Sequence, residues 1–334
     1  MDNLTHSLVG LFLARTGLKY ATPRGTAILV VAANAPDFDA VSFFWGQSSY
    51  IHWHRNITHS LIAMPVMALI AVALVRLLGR KPVRWVPAFL IAMVGVASHL
   101  ILDLTNVYGV RLLLPFSGHW THWDLTPVID LTIWLLLLIG VIAPALGRLV
   151  GSEIGERPRS TGGGWAFFAL LLLTGYDYGR SVLHSQAVGL MDSRGMLDSR
   201  SYNGLSPRRV GAFPEANPLK WRGMAELSNA YVDVPIDLRE TFRPDDGATY
   251  YKAQRTPAVN AAMATFPFQR LLEFVQYPLW VTAPESPADR TTRVTLLDLR
   301  FGTPGSSGFS ATAVVNAQNQ VIEEGTGSLP MRPR

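Results

Sequence analysis

The chain has 334 residues, with 29 Lys+Arg against 24 Asp+Glu and a formal net charge of +5. Hydrophobic residues make up 49% and charged residues 16%, where a soluble domain carries about a quarter charged, so a disordered chain is excluded and an ordinary cytosolic enzyme does not fit. There is no cysteine, which excludes disulfides, zinc–thiolate sites and iron–sulfur clusters and leaves any metal to His, Asp or Glu.

In chain order, two short apolar runs come first, Leu4 to Leu18 and Gly25 to Ala35. Each is short for a span, and together they predict a helical hairpin entering the membrane with Thr22-Pro23 at its turn. Asp2 and His6 stand where a cleavable signal peptide would have a basic segment. Four longer runs follow: His59 to Leu78, Trp85 to Leu104, Val128 to Val150 and Trp165 to Leu183. Each has the roughly 20 residues a helix needs to cross about 30 Å of hydrocarbon.

Beyond about residue 185 the chain changes character, with 16 Lys+Arg, 15 Asp+Glu and frequent Pro and Gly. Arg293 to Phe301 alternates like a half-buried strand. Phe309 to Val315 and Gln320 to Glu324 flank Ala317-Gln318-Asn319 as a hairpin. Met224 to Val234 and Phe274 to Thr282 are further strand candidates, and Pro257 to Phe274 predicts a helix broken at Pro267. The expected fold is a membrane α-helical bundle, four full spans plus the short N-terminal hairpin, over residues 1–190. A soluble α+β domain with an antiparallel sheet is expected over 191–334.

Cytoplasmic loops collect Lys and Arg. Arg15, Lys19, Arg24, Arg76, Arg80, Lys81, Arg84, Arg148, Arg157 and Arg159 fall on one side of this topology. The opposite short loops, 36–58 and 105–127, hold only Arg55 and Arg111. That bias predicts an extracytoplasmic N-terminus and C-terminal domain, periplasmic in a Gram-negative cell. The positive charge then reflects topology rather than nucleic-acid binding.

All eight histidines precede residue 185: His6, His52, His54, His59, His99, His119, His122 and His184. In the expected topology they lie at or near the outer surface, with Asp2, Asp37, Asp39, Asp103, Asp124, Asp130 and Asp177. Ionisable groups at such a position are costly unless solvated, paired or functional, and His with carboxylate suits Zn²⁺ and similar divalent ions. His99 and Asp103 are i and i+4 on one helix face. His54 and His59 lie in HRNITHS, Asp37 and Asp39 follow Pro36 in NAPDFD, and His6 opens the first segment. Four segment ends thus deliver His or Asp to one layer. A bland reading competes at several positions. Asp39 could cap a turn or pair with Arg55, Asp130 could favour the N-terminus of the fifth segment on dipole grounds, and Arg55 could be a solvated cation.

The pieces MDNLTHSLVG, NAPDFD, HRNITHS, SHLILDLTNVYG, LLLPFS and WDLTPVIDLTIW resemble bacterial inner-membrane proteins of the YdjM type, also described as LexA-regulated and as DUF457, a group of metal-dependent hydrolases. The resemblance covers about residues 1–145. It implies a distant similarity to zinc-dependent phospholipase C and P1 nuclease, whose ligands run His, Asp, His, then HxxxD. Here that order gives His6, Asp37, His59 and His99 with Asp103 as metal ligands. The zinc enzymes continue with a further His and an HxxxE, which this sequence lacks; His119, His122, Asp124 and Asp130 are the nearby substitutes. The resemblance therefore implies one or two Zn²⁺ ions, or another divalent metal.

The function expected from these readings is hydrolysis of a phosphate ester of a lipid or lipid-linked substrate in the bilayer, by water activated at the metal. Asp37 or Asp130 would take the proton and Arg55 would bind a phosphate oxygen. Asp39, His54, His122 and Asp124 would support or complete the ligand set. The alternative is a metal-binding membrane scaffold or sensor whose outer domain binds a protein partner. No nucleic-acid partner is expected.

Overall fold

The computed structural model describes residues 1–79, 82–153, 162–192, 207–286, 290–306 and 308–327. Arg80, Lys81, Arg157 and Arg159, which contribute to the charge bias, lie outside the described residues. The chain divides into two compact units. One comprises Met1–Asp39, Arg55–Gln186 and Pro214–Trp221; the other comprises Ala40–His54, Ala187–Phe213 and Arg222–Arg334. A single boundary near residue 190 takes no account of Ala40–His54, which packs within the second unit.

The first unit is helical. Helix α1 (Asn3–Arg15) starts at Asp2, whose carboxylate accepts from the backbone N–H groups of Leu4 at 3.0 Å and Thr5 at 3.1 Å, an N-cap that satisfies two orphan donors. A short 3₁₀ turn (Leu18–Ala21) and Thr22-Pro23 lead into α2 (Gly25–Ala32). This is the expected hairpin, and it packs tightly because small residues line the crossing. A Cβ added at Gly10 would meet the Leu29 carbonyl oxygen at 2.9 Å, and one at Gly95 would meet Ala32 Cβ at 2.8 Å. Small residues at helix crossings let backbones approach in just this way. Gly95 belongs to α5 (Trp85–Thr105), so α1, α2 and α5 meet on small side chains.

Two segments are bent. After α2, a 3₁₀ stretch (Pro36–Trp45) turns by 52°. Pro36 lacks the N–H needed to continue an α-helix. Before α4 (Met64–Leu77), α3 (Gln47–Trp53) and a 3₁₀ turn (Ile57–His59) meet it at 95°. The run from His59 to Leu78 is therefore not one straight helix. Two further helices follow, α6 (Leu131–Glu153), with Pro144 inside it, and α7 (Gly163–Met191). Among the described residues two helices are long and apolar enough to cross a membrane, Trp85–Thr105 and Leu131–Val150, or up to four if each bent pair is one span. Helix α7 is long enough, but Asp177 and Arg180 interrupt its apolar run. The described helices thus supply two to four candidate spans rather than the four full spans expected.

Two four-stranded antiparallel sheets, in the orders β1-β2-β3-β4 and β5-β6-β7-β8, belong mostly to the second unit. The first is β1 (Arg209–Pro214), β2 (Lys220–Glu226), β3 (Ala230–Asp237) and β4 (Ala248–Tyr251). The expected strand Met224 to Val234 is instead the end of β2, a turn and the start of β3. Ser228-Asn229 make that turn, closed by Leu227 N–H to Ala230 O at 2.8 Å. The second sheet is β5 (Pro278–Ser286), β6 (Thr291–Asp298), β7 (Ser310–Val315) and β8 (Val321–Thr326). The expected hairpin is β7–β8, and Leu299–Phe301 forms a 3₁₀ turn after β6. In chain order, α8 (Pro257–Met263) and α9 (Phe266–Leu272) come between the two sheets and pack on the second. The break falls at Ala264-Thr265, before Pro267, because proline is tolerated in a first helical turn. Within this unit α3 packs on α9, where His52 Nδ1 lies 2.8 Å from Glu273 Oε2.

Candidate metal centre

Helix α5 presents His99 and Asp103 one turn apart, as their spacing requires. The 3₁₀ turn at Ile57–His59 swings His59 towards them, and the bend at Pro36 places Asp37 opposite. The four side chains converge at the heart of the first unit. His59, His99 and Asp103 are completely buried, and Asp37 is 8% exposed.

The donor atoms form a compact cluster. His59 Nε2 lies 3.1 Å from His99 Nε2, 3.4 Å from Asp37 Oδ1 and 3.3 Å from Asp103 Oδ2. His99 Nε2 lies 3.7 Å from Asp37 Oδ1 and 3.4 Å from Asp103 Oδ2. Ligands of a tetrahedral ion at bond lengths of about 2.0–2.1 Å stand about 3.3–3.4 Å apart. The cluster has that dimension.

The surroundings decide what these atoms offer. His99 Nδ1 lies 2.7 Å from the Ala33 carbonyl oxygen. A carbonyl only accepts, so Nδ1 carries the proton and Nε2 presents a lone pair. His59 Nδ1 lies 3.0 Å from Thr58 Oγ1 and 3.3 Å from Asp39 Oδ2, and Thr58 donates its own hydroxyl proton to Asp39. The proton of His59 thus also sits on Nδ1. Asp37 Oδ1 and Asp103 Oδ2 are buried without a hydrogen-bond partner among the described residues. With both rings in these tautomers, four lone-pair atoms of the described residues face one another, an arrangement that costs energy unless a proton or a metal cation occupies the middle. The residues fit a divalent metal. Asp39 and the Ala33 carbonyl are the outer partners that fix the imidazole orientations.

Asp103 divides its carboxylate. Oδ2 faces the cluster, while Oδ1 accepts from Arg55 Nη2 at 2.9 Å and contacts the α-amino group of Met1. Arg55 is buried, stacked over Tyr108 with Cζ 4.7 Å from the ring centroid, and Nη1 donates to Asn106 Oδ1 at 3.0 Å. Its backbone is left-handed at φ 57°, held by its N–H to Asp39 Oδ2 at 3.0 Å. Such a conformation in a non-glycine residue costs of order 1–3 kcal/mol and persists where its surroundings enforce it. The structure places Arg55 on Asp103 rather than in solvent.

The remaining expected site residues lie outside that four-residue cluster. The His6 ring stacks on His99 at a centroid distance of 3.8 Å, with Nε2 3.4 Å from Asp103 Oδ1, so it sits beside the four-atom cluster rather than in it. His54 belongs to the second unit, stacked on Tyr50. His122 and Asp124 pair with each other at 2.8 Å. Asp130 caps α6: Oδ1 accepts from the N–H groups of Thr132 and Ile133, and Oδ2 from the Tyr176 hydroxyl. The sequence reading passed over Thr58 and Ala33. Thr58 adjoins His59 in HRNITHS and was open to inspection, whereas a backbone carbonyl leaves no signal in residue identity.

A bent-helix bundle with apolar spans and a buried cluster of two His and two Asp defines a membrane protein with a candidate metal centre. The chain belongs to the YdjM inner membrane protein family, which it matches over residues 1–184. That match covers every member of the cluster and most of α7. The chain is also similar to the uncharacterized protein YfhP of Bacillus subtilis (strain 168), with 28% identity over 149 residues, 42% of this chain and 45% of that protein. The match thus spans about half the length of that relative. No solved structure matches the chain.

Proposed function

We propose that this protein is a membrane-bound metal-dependent hydrolase acting on a phosphate ester, with a lipid or lipid-linked substrate. The observation that supports this reading is the convergence of His59 Nε2, His99 Nε2, Asp37 Oδ1 and Asp103 Oδ2 at 3.1–3.7 Å. The donor chemistry points to catalysis, since structural zinc sites are built mainly on Cys and hydrolytic ones on His and carboxylate. Zn²⁺ is the ion the set suits best. Such an ion supplies Lewis acidity, lowering the pKa of a water towards about 7 and offsetting charge on phosphoryl oxygens. Ala33 and Asp39 hold the two imidazoles in their neutral tautomers. Arg55 and Asn106 hold Asp103. Asp37 is the least enclosed of the four, and we assign it the proton of the attacking water. The charge bias supports an extracytoplasmic site.

One observation favours a second reading, a non-catalytic metal site that braces the bundle of a scaffold or sensor. Four protein donors saturate a tetrahedral ion, and catalytic zinc keeps a position open. Elemental analysis of the purified protein, paired with turnover of phosphodiester and phospholipid substrates, separates the two. The hydrolase reading expects bound divalent metal and turnover, both lost in His99→Ala and Asp103→Ala. Metal-loaded protein that turns over none of these substrates, with stability falling on chelation, would establish the bracing role instead.

A further inference from the structure

A cleft lies on the opposite face of α5. Ile101 and Thr105 line this cleft of about 410 Å³ together with Trp123, Leu125, Asp177 and Tyr178. Residues two apart on a helix are separated by about 200°, so Ile101 and Thr105 point away from Asp103 and its partners. The cleft is thus separate from the metal centre, and its volume falls within the ~300–1,000 Å³ typical of small-ligand sites.

Its wall is built by the return of the chain after α5. The C-terminal carbonyls of that helix are satisfied by this return, with Trp123 N–H to Leu104 O at 2.7 Å and Leu125 N–H to Thr105 O at 2.8 Å. That arrangement pins Trp123 and Leu125 beside Ile101. Helix α7 closes the other side with Thr174, Asp177, Tyr178 and Ser181.

The polar groups of this apolar cleft are biased to one kind. Asp177 Oδ1 is buried and has no hydrogen-bond partner among the described residues. The Thr105 hydroxyl is already shared between Leu102 O and Thr126 Oγ1, whereas Thr174 and Ser181 each donate their hydroxyl proton to a carbonyl of their own helix, at Leu170 and Tyr178. Their oxygens are left as acceptors. Arg180 does not serve Asp177 as a close ion-pair partner; it directs Nε to Leu125 O and Nη1 to Pro218 O, each at 2.6 Å. Acceptors and a carboxylate beside two aromatic rings match a primary ammonium, which donates three hydrogen bonds and is attracted to ring faces.

The approach to the cleft is apolar. Leu90, Val94 and Ile101 form an exposed stripe on α5, and Phe167, Leu171 and Tyr178 form one on α7. Both follow helical spacing and both end at the cleft. On a chain of an inner-membrane family, such stripes are surface for acyl chains.

We infer that the cleft binds a bilayer phospholipid with a primary ammonium headgroup, the ammonium on Asp177 and the chains along α5 and α7. Choline headgroups cannot donate hydrogen bonds, and glycerol headgroups on an anionic phosphate carry no cation, so both should bind more weakly. The test is native mass spectrometry of the full chain released from vesicles of ethanolamine, choline and glycerol phospholipids in equal proportion. Ethanolamine lipid should be retained at least about tenfold over the others, as expected for hydrogen bonds to a charged group. Asp177→Asn should abolish that preference. Ile101→Trp should fill the cleft and remove bound lipid of every class. Bound metal measured on the same samples should be unchanged, which shows that the bundle is intact. Equal retention of all three lipids, or a preference that survives both substitutions, would overturn the inference.

Discussion

Asp103 carries two tasks on two oxygens, and the groups that hold Oδ1 decide where Oδ2 points. Arg55 grips Oδ1, and Asp39 does the corresponding work for His59 through Nδ1. Removing such outer partners costs about 10–100-fold in metal affinity in well-studied sites. Asp39→Ala and Arg55→Met should each weaken metal binding by that order, measured by competition with a chelator of known affinity. Unchanged affinity in both would show that the imidazole and carboxylate are held by packing alone. If His99 and Asp103 share one ion, the double variant His99→Ala/Asp103→Ala should cost far less than the sum of the single ones. Additive losses would mean the two act at separate places. His119 is exposed in its loop, so His119→Ala should leave metal affinity within about twofold of the native protein, as surface substitutions usually do. Much of this cluster was legible in the sequence. The i, i+4 pair needs only helix geometry, and Asp37 and His59 follow from segment ends meeting in one layer. The stacking of His6 was not legible, since residue order says which side chains arrive but not how two rings share space.

At the scale of elements, the site depends on how closely α2 and α5 approach. Gly95 faces Ala32 and the Leu29 carbonyl, and Ala33, the next residue, supplies the oxygen that fixes His99. A side chain at Gly95 must therefore push the crossing apart and carry the Ala33 carbonyl away from His99. Gly95→Leu should destabilise the protein by about 1–3 kcal/mol, the usual cost of overpacking. It should also weaken metal binding, although residue 95 touches no metal donor. Thermal unfolding with and without chelator checks both. A variant that loses stability while keeping native metal affinity would show that the carbonyl is positioned independently of the crossing. Apolar runs located these helices well, because burial demands hydrophobic length. They did not reveal the bends of 52° and 95°. A run of apolar residues reads the same whether straight or broken, and only Pro36 marked one of the two turns. The strand boundaries around Ser228-Asn229 were missed for a related reason: the alternation continues across a short turn.

For the whole molecule, the two units share the chain unequally. Ala40–His54 lies between two segments of the helical unit in sequence, yet it packs with the sheets through α3 and α9. Helix α3 packs on α9 of the C-terminal part, and segments packed in this way are expected on the same side of a membrane. The loop around Ala40–His54 and the C-terminal sheets therefore share a side, whichever side that is. We propose that this side is extracytoplasmic, because the opposite loops contain the Lys and Arg, which favour the cytoplasm. The native chain has no cysteine, so single introduced thiols report location without background. Gln318→Cys lies in the exposed β7–β8 turn and Arg76→Cys at the exposed end of α4. In intact cells a membrane-impermeant maleimide should label residue 318 and spare residue 76 until the membrane is breached. A reporter inserted at Gly79 should likewise behave as cytoplasmic, and one fused after Arg334, outside the described residues, as extracytoplasmic. The reverse pattern would move the candidate metal centre to the cytoplasmic face. Labelling of both positions from one side would instead deny that the α4–α5 connection lies across the membrane from the sheets.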